Sequence, residues 1–319
     1  MDNVLTQETG DSFTAFHADT VEVARSLPSE SVDMAVFSPP FSSLFVYSSS
    51  ERDMGNVRSD DEFFAGYDFL IREQFRVMKA GTNTAIHCML LPTSKTKDGV
   101  IGLKDFRGDI IRAYQKAGFI FHAEVCIWKD PVTAMQRTKA LGLLHKQIRK
   151  DSSMSRMGIP DYVVVMRKPG QRVAPVAHTH EEFPVEMWQR YASPVWVSTA
   201  GEDDEGFRRC VQSTASNADG IDQSDTLQVR SARENDDERH LCPLQLEVIR
   251  RMITMYSNKG EVVWSPFMGI GSEGVTAIEM GRKFVGAELK ASYFGQAVRN
   301  LRAAESAETA QGDLFGAAG

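Results

Sequence analysis

The sequence contains no apolar run near the roughly 18 residues that a membrane span needs, so a transmembrane protein is not expected. Its N-terminal residues are polar and acidic, which is unlike a signal peptide or a transit peptide. The four cysteines include no Cys-x-x-Cys pair, which argues against a disulfide scaffold and against a zinc ribbon. We therefore expect a protein of the reducing cytoplasm.

An overall basic charge is also absent, and the net charge of −7 argues against nucleic-acid binding by the surface as a whole. The charge is uneven, because residues 201–238 hold eleven acidic side chains and only four arginines. Their low apolar content predicts a partly flexible insertion. Residues 129–156 are strongly basic instead. Such a local patch still attracts phosphates, since salt screens distant charge beyond about 10 Å.

Predicted strands alternate with predicted helices along most of the chain, which favours an α/β fold with a parallel sheet. One helix has the capping sequence Ser59-x-x-Glu62 and a helical apolar period, and we expect Gly81 to end it. The predicted strands are 13–18, 31–37, 84–90, 119–129, 162–167, 261–265 and 283–288, and the other predicted helices are 20–27, 109–116, 243–257, 272–280 and 292–303.

The first motif that carries chemistry is Ser38-Pro39-Pro40-Phe41, directly after a predicted strand. Ligands of open α/β sheets bind beyond the carboxyl ends of the strands, so a site is expected here. The prolines stiffen the turn and lack N–H groups, which leaves nearby carbonyls free to accept from a ligand. A proline-rich turn beside a core phenylalanine is the alternative that these residues leave open.

The second motif runs from Ser265 to Ser272 as Ser-Pro-Phe-Met-Gly-Ile-Gly-Ser, and a helix, a strand and Glu288 follow it. The glycines let a ligand approach the backbone, and an acid at the next strand tip accepts from ribose hydroxyls. Gly269-x-Gly271-x-x-Gly274 also matches the dinucleotide fingerprint, so NAD is a candidate ligand. Too little chain follows this motif to complete a dinucleotide-binding half in the usual order, which argues against NAD.

Together the two motifs resemble those of DNA amino-methyltransferases of the permuted class, in which the catalytic motif precedes the cofactor motif. The stretches Phe41–Met54 and Trp128–Lys150 also resemble phage and prophage DNA methylases. Ser265 stands where the family's cofactor pattern has aspartate. The resemblance implies a Rossmann-like methyltransferase fold with a mostly parallel, seven-stranded, circularly permuted sheet. It implies S-adenosylmethionine as the cofactor, and the implied cofactor contacts are Asp19, His240, Pro243, Ser265, Phe267, Gly269, Gly271, Ser272 and Glu288.

The same resemblance divides the chain into parts. Residues 1–168 are expected to form the catalytic half and residues 239–303 the cofactor-binding half. Residues 169–238 lie between them as an insertion or a small target-recognition region, and residues 304–319 are expected to be a flexible tail.

The implied reaction methylates an exocyclic amino nitrogen in double-stranded DNA, either N4 of cytosine or N6 of adenine. Serine at the first catalytic position favours cytosine, whereas the similarity to phage enzymes favours adenine, so the base stays open. The catalytic residues are Ser38, whose Oγ accepts from the amino group, Pro39, whose carbonyl does the same, Pro40, and Phe41, which stacks on a flipped base. The family needs no metal, and the sequence shows no metal-ligand cluster.

Two partners are predicted besides the cofactor. The basic segment, residues 129–160, contains the basic patch and is the predicted DNA contact. Its side chains would meet phosphates rather than bases, and a solvated helical face is the alternative. Its candidate residues are Arg137, Lys139, Lys146, Arg149, Lys150 and Arg156. Gln311–Phe315 resembles the peptide by which bacterial replication proteins dock on the sliding clamp. The expected setting is the cytoplasm of a bacterium or of a phage-infected host, in restriction–modification or in phage DNA protection.

Two other functions stay open. A catalytically inactive methyltransferase fold would act as a DNA-binding module, and only the serine at position 265 supports it. An amino-methyltransferase acting on RNA or protein is the second, although such enzymes usually carry the catalytic motif after the cofactor motif.

Overall fold

The computed structural model describes residues 4–42, 53–129, 145–199, 220–222, 224–227 and 243–316. Within these ranges no helix is long and apolar enough to cross a membrane. The strands are β1 (Val4–Thr9), β2 (Phe13–Ala18), β3 (Val32–Phe37), β4 (Met78–Met89), β5 (Leu91–Pro92), β6 (Leu103–Lys104), β7 (Ile120–Trp128), β8 (Asp161–Arg167), β9 (Val195–Thr199), β10 (Ile221–Asp222), β11 (Val262–Ser265) and β12 (Lys283–Glu288). The helices are α1 (Thr20–Ser26), α2 (Asp60–Val77), α3 (Lys95–Asp98), α4 (Phe106–Lys116), α5 (Ile148–Asp151), α6 (Val185–Tyr191), α7 (Leu246–Tyr256), α8 (Ser272–Glu279) and α9 (Ala291–Gly316).

Ten of these strands form one sheet, in the order β1-β2-β12-β11-β3-β4-β8-β7-β9-β10. The central strands from β2 to β4 are parallel, whereas β8 runs antiparallel to both β4 and β7. The sheet is therefore mostly parallel and Rossmann-like, but it has ten strands where the resemblance implied seven. The additional strands lie at the edges, because β1 folds back on β2, and β9 and β10 extend the sheet beyond β7.

The strands β11 and β12, late in the chain, lie in the middle of the sheet. β11 pairs in parallel with β3 through Val263 opposite Met34, and β12 pairs with β2 as far as Glu288 opposite His17. Parallel neighbours have their carboxyl ends at the same edge, so the segments after β3, β11 and β12 emerge together. This is the edge at which the sequence predicts a site.

Apolar side chains cover both faces of the sheet, which is why its central strands read as continuous apolar runs. All six residues of β3 are buried. One face packs against α7, α8 and α9, and the other packs against α2 and α4. Leu70 and Ile71 of α2 have no exposed surface, and each such side chain contributes about 1.5–3 kcal/mol of burial free energy. The two helix layers thus fix β3 and β11, and with them the segments that follow.

Helix α2 begins where the sequence predicts but ends before Gly81. Ser59 caps its first turn, and Val77 is its last residue. Gly81 lies instead in β4 at φ +72°, and its N–H donates to the Lys168 carbonyl. A Cβ at this position would lie 2.5 Å from the backbone nitrogen of Arg172. Glycine is therefore required for the close approach of two backbone segments and not for a helix end.

Helix α9 is longer than the sequence predicts. We expected a flexible tail over 304–319, whereas α9 continues through most of that range. Its extension contacts the hairpin of β1 and β2, because Glu305 accepts from the Ser12 N–H and Arg302 forms an ion pair with Glu8. The C-terminal helix therefore packs on the first strands of the sheet.

Part of the predicted insertion belongs to the sheet. α6, β9 and β10 lie in the described portion of residues 169–238, and β9 pairs with β7 through Val195 opposite Cys126. Trp196 of β9 is almost fully buried. This portion is therefore part of the core, while most of the acidic stretch 201–238 lies outside the described residues.

Candidate active site

The two sequence motifs meet at one edge of the sheet. Phe37 is the last residue of β3, and its ring centroid lies 5.9 Å from that of Phe267, which follows β11. Phe267 also contacts Tyr67 of α2, with 6.4 Å between ring centroids. The Ser38 motif and the glycine motif, distant in sequence, are therefore neighbours in space.

The glycine motif forms a tight turn between β11 and α8. Gly269 and Gly271 have φ values of +53° and +91°, where side chains other than hydrogen are strained. The Gly271 N–H donates to the Met268 carbonyl at 2.7 Å, and Asn300 of α9 donates to the Ile270 carbonyl at 2.8 Å. A Cβ on Gly269 would meet no atom within 4 Å, so its backbone borders open space.

Glu288 closes this turn from the end of β12. Its carboxylate accepts from the Gly269 N–H at 3.0 Å and from the Lys290 N–H at 2.8 Å. Burial raises the pKa of Glu288 to about 7, although these backbone donors act in the opposite direction. The site therefore contains an oxygen acceptor that titrates near neutral pH.

The third glycine of the dinucleotide-like pattern has a packing role. A Cβ on Gly274 would lie 2.4 Å from Leu301 and 2.6 Å from Phe284. Glycine here lets α8 approach α9 and β12 closely, so this position does not distinguish a dinucleotide from another ligand.

The residues at the turn fit the S-adenosylmethionine that the resemblance implies. Ser265 Oγ is fully buried and has no hydrogen-bond partner among the described residues, so a polar group remains available beside the turn. Gly269 borders open space, and Glu288 offers carboxylate oxygens at the tip of the next strand. Ser272 is buried at the first position of α8, and Phe267 is half-buried between the two motifs.

The other predicted cofactor contacts lie outside the glycine turn or outside the described residues. Asp19 caps α1, because its Oδ1 accepts from the Val21 N–H at 2.9 Å and from the Glu22 N–H at 3.2 Å. It follows β2, whose neighbour β12 ends in Glu288, so it lies at the same edge of the sheet. Pro243 is half-buried just before α7, and His240 lies outside the described residues.

The first residue of the catalytic motif is held by a histidine of the neighbouring strand. Ser38 Oγ lies 2.8 Å from Nδ1 of His87, which belongs to β4. Phe41 is half-buried, and its ring centroid is 6.1 Å from the imidazole. Pro39 and Pro40 are buried, so the short motif has a fixed position after β3.

Sequence reasoning missed the residues that support this histidine. His87 Nε2 lies 3.0 Å from Asp161 Oδ2 at the start of β8, and Asp161 also pairs with Lys129 after β7. Burial acts to raise the pKa of Asp161, but the nearby charges of Lys129 and His87, with their hydrogen bonds, lower it to about 2. The only signal in the sequence is a polar residue within or next to each apolar strand, and it does not reveal that these strands are neighbours.

The described part of the basic segment emerges from the same edge. It joins the end of β7 to the start of β8, where Asp161 lies. Lys146, Arg149 and Lys150 are exposed, whereas Arg156 is half-buried and donates to the Gly102 carbonyl at 3.0 Å. Arg137 and Lys139 lie outside the described residues. Three of the predicted DNA-contact side chains are thus solvent-accessible, in the segment that leads to β8 and Asp161.

Comparison with protein families gives a match over most of the chain. A family model described as DNA methylase, for the N6/N4 class, matches residues 32–299. The matched range includes both motifs and every strand from β3 to β12.

Curated relatives match over shorter stretches. The DNA adenine methyltransferase YhdJ of Escherichia coli (strain K12) is 36% identical over 64 residues, which are 20% of this chain and 22% of that protein. The Type II methyltransferase M1.MboII of Moraxella bovis is 36% identical over 58 residues, or 18% and 22% of the two chains. The chain thus spans about a fifth of the length of the curated relatives it matches.

Solved structures share the fold. A protein of Thermus thermophilus assigned as a DNA modification methylase, complexed with S-adenosyl-L-methionine, gives a TM-score of 0.59 at 21% identity, over 90% of this chain and 93% of that one. PvuII DNA methyltransferase, described as cytosine-N4-specific, gives a TM-score of 0.59 at 13% identity, over 93% and 90% of the two chains. At such low identities the likeness establishes the fold.

Proposed function

The chain belongs to the N6/N4 DNA methylase family, and on that premise we propose that it transfers a methyl group from S-adenosylmethionine to an exocyclic amino group of cytosine or adenine in DNA. The observation that carries the proposal is the contact between the two motifs. Phe37, directly before Ser38, lies against Phe267, directly before the glycine turn. A cofactor bound at the turn and an amino group bound at Ser38 are then neighbours.

When bound, S-adenosylmethionine supplies an electrophilic methyl group on a sulfonium sulfur. Glu288 accepts from the ribose hydroxyls, as an acid at the tip of the second strand does in related folds. The turn at Gly269 and Gly271 brings the backbone next to the ligand without interference from side chains. The buried Ser265 hydroxyl provides the polar contact that aspartate provides elsewhere in the family.

The catalytic motif binds the target base. Ser38 Oγ and the Pro39 carbonyl accept from the amino group, and they stabilise the positive charge that develops on the nitrogen. The neighbouring prolines are buried, so these acceptors are oriented before the reaction begins. A base inside a duplex is not accessible, so the target base is flipped out and stacks on Phe41.

DNA is bound by the basic segment, which leads to β8 and Asp161. Lys146, Arg149 and Lys150 are exposed and contact phosphates, which supply affinity without sequence information. Arg137 and Lys139 stay candidate DNA contacts on sequence grounds alone, and Arg156 anchors the segment through its bond to Gly102.

The proposal extends to chain organisation. The position of β11 between β12 and β3 supports a circularly permuted methyltransferase sheet, with the catalytic half preceding the cofactor half.

The peptide Gln311–Phe315 lies in α9, and we propose that it binds the sliding clamp as a tether. Deletion of residues 311–319 should abolish clamp pull-down and leave methylation of short DNA unchanged; a loss of methylation would contradict the tether.

The experiment that tests the function identifies the product. The purified protein is incubated with unmodified DNA and S-adenosylmethionine, the DNA is digested to nucleosides, and the nucleosides are analysed by mass spectrometry. N4-methyldeoxycytidine or N6-methyldeoxyadenosine is expected, and the one that forms names the target base. Binding of the cofactor without any methylated nucleoside would overturn the proposal and indicate another acceptor.

Variants connect the product to the site. Ser38→Ala and Phe41→Ala should lower turnover and leave cofactor affinity unchanged, because both residues face the base and not the turn. Ser31→Ala is the matched control, since Ser31 lies at the other end of β3 and donates to the Pro28 carbonyl. Full activity of Ser38→Ala would show that Ser38 is not the catalytic acceptor.

A further inference from the structure

Four polar residues form a continuous chain across four neighbouring strands. Ser38 follows β3, His87 lies on β4, Asp161 begins β8, and Lys129 follows β7. Ser38 Oγ is 2.8 Å from His87 Nδ1, and His87 Nε2 is 3.0 Å from Asp161 Oδ2. Lys129 forms an ion pair with Asp161 on the far side. The proposed role of Ser38, as an acceptor for the target amino group, explains why Ser38 is present. It does not explain why His87, Asp161 and Lys129 follow it in this series of polar contacts.

The chain has a fixed polarity. Asp161 is ionised at neutral pH, so its carboxylate accepts a hydrogen bond and His87 Nε2 carries the proton. In a neutral imidazole the other nitrogen is then an acceptor. The Ser38 hydroxyl therefore donates to His87 Nδ1, which leaves the serine lone pairs available for the target amino group.

We propose that Ser38, His87 and Asp161 form a proton relay that removes the proton released by the target amino group, a role that rests on the proposed methyl transfer. His87 and Asp161 act through Ser38 and are positioning residues with respect to the base. Lys129 holds the Asp161 carboxylate in its ionised form.

The relay balances the reaction. Methyl transfer forms a nitrogen–carbon bond, breaks the carbon–sulfur bond of the sulfonium, and leaves one excess proton on the amino nitrogen. This proton passes to Ser38 Oγ, while the original hydroxyl proton passes to His87 Nδ1. The imidazolium that results is stabilised by the Asp161 carboxylate, and it returns its proton to solvent after the product leaves.

Burial makes such a pathway useful. The side chains of His87 and Asp161 are only 11% and 5% exposed, so few water molecules reach them. Stacking of a base on Phe41, whose ring is 6.1 Å from the imidazole, covers the site further. A proton that leaves the amino group therefore needs a protein side chain as its acceptor, and the imidazole of His87 lies next to Ser38.

The relay requires that His87 is neutral before methyl transfer. The charged groups that face His87 are Asp161 from β8 and, through it, Lys129 from β7, while Ser38 and Phe41 approach from the end of β3. When His87 is protonated, Nδ1 already carries a hydrogen and cannot accept the hydroxyl proton of Ser38. Protonation of His87 therefore blocks the relay and lowers the methyl-transfer rate.

The first test needs neither DNA nor cofactor. Long-range proton–nitrogen NMR of protein with ¹⁵N-labelled histidine reports which imidazole nitrogen carries the proton, and the His87→Asn spectrum identifies the His87 signal. We expect the Nε2–H tautomer in the wild type and the Nδ1–H tautomer in Asp161→Asn, because an amide donates where the carboxylate accepts. An Nδ1–H tautomer in the wild type would overturn the relay.

The second test measures single-turnover methylation of DNA as a function of pH. His87→Asn keeps an oxygen that accepts from Ser38 but takes no proton, and we expect its rate to be lower by roughly 10²–10⁴-fold and to vary less with pH. His122→Gln is the matched control, since His122 is exposed on β7 and its ring contacts Tyr256 edge to face, away from the site. Cofactor affinity, measured by calorimetry, should be unchanged in both variants.

The outcomes separate the two proposals. Methylation by the wild type with an unaffected rate and pH profile in His87→Asn refutes the relay and leaves the proposed function in place. Absence of methylation by the wild type refutes the proposed function, and with it the role of the relay in transfer.

Discussion

Glu273 at the start of α8 lies close enough to Glu288 at the end of β12 for the charge of Glu288 to act on its buried carboxyl group. Burial raises the pKa of Glu273 to about 8, and the charge of Glu288 adds to this rise. Burial also raises the pKa of Glu288, to about 7. The cofactor end of the site therefore contains two acids that titrate near neutral pH, and both have measurable consequences.

Glu273 should make the protein less stable as the pH increases. Its folded pKa of about 8 lies above the usual 4.5, so between these values the unfolded chain loses a proton that the folded chain keeps. The free energy of unfolding then falls with pH by at most about 1.4 kcal/mol per unit. Thermal melts from pH 5 to 8 should show a steeper loss for the wild type than for Glu273→Gln. Glu279→Gln, at an exposed position of α8, is the control.

Glu288 should make cofactor binding depend on pH in the opposite direction. An ionised carboxylate is the stronger acceptor for ribose hydroxyls, so affinity should increase from pH 6 to pH 8 as Glu288 loses its proton. Isothermal titration of the wild type and of Glu288→Gln checks this. The variant should bind the cofactor more weakly, and its affinity should not vary with pH. If the variant keeps the pH dependence of the wild type, Glu288 does not contact the ribose.

Gly269 should be indispensable for the cofactor. A valine there fills the open space beside the backbone and is strained at φ +53°, so Gly269→Val should lose detectable cofactor binding. Gly99→Val is a matched control, because Gly99 has φ +73° with no atom near its Cβ position. Calorimetry measures the cofactor affinity of both variants. If Gly99→Val loses as much affinity as Gly269→Val, the loss comes from backbone strain and not from a blocked ligand site.

The basic segment should supply phosphate contacts. Replacing both Lys146 and Lys150 with alanine should weaken binding to any duplex and reduce the slope of log affinity against log salt by about 0.9 for each phosphate that is no longer neutralised. Fluorescence anisotropy at several salt concentrations measures both the DNA affinity and this slope. Lys283→Ala is the control, since Lys283 is exposed at the opposite end of β12. An unchanged slope would support the solvated helical face.

Seven strands and the two motifs were predictable because local sequence patterns indicate them, whereas β1, β5, β6, β9 and β10 were not predicted from the sequence. Apolar runs that end in Ser38-Pro39 and in Ser265-Pro266 gave the ends of β3 and β11 within one residue. The pairing of these two strands, through Val263 opposite Met34, places both motifs at one edge. The circular permutation and the division into halves stay predictions.

Other features depend on contacts between distant segments, which a single sequence does not reveal. In the sequence Gly81 looks like a helix end, yet glycine is required there because the backbone near Arg172 packs closely against it. The extension of α9 depends on Arg302 and Glu305 meeting the N-terminal hairpin. His87 reads as one polar residue in an apolar strand, and only the placement of β8 beside β4 gives it Asp161 as a partner.

The insertion of β11 and β12 between β2 and β3 also determines the order in which the sheet assembles during translation. β2 and β3 leave the ribosome early, but the strands that separate them are synthesised much later. Until then the facing edges of β2 and β3 have no partner, and unpaired edges favour aggregation and slow folding. The nascent N-terminal part of the sheet is therefore a candidate for chaperone binding, and the two motifs meet only after β11 and β12 have been released.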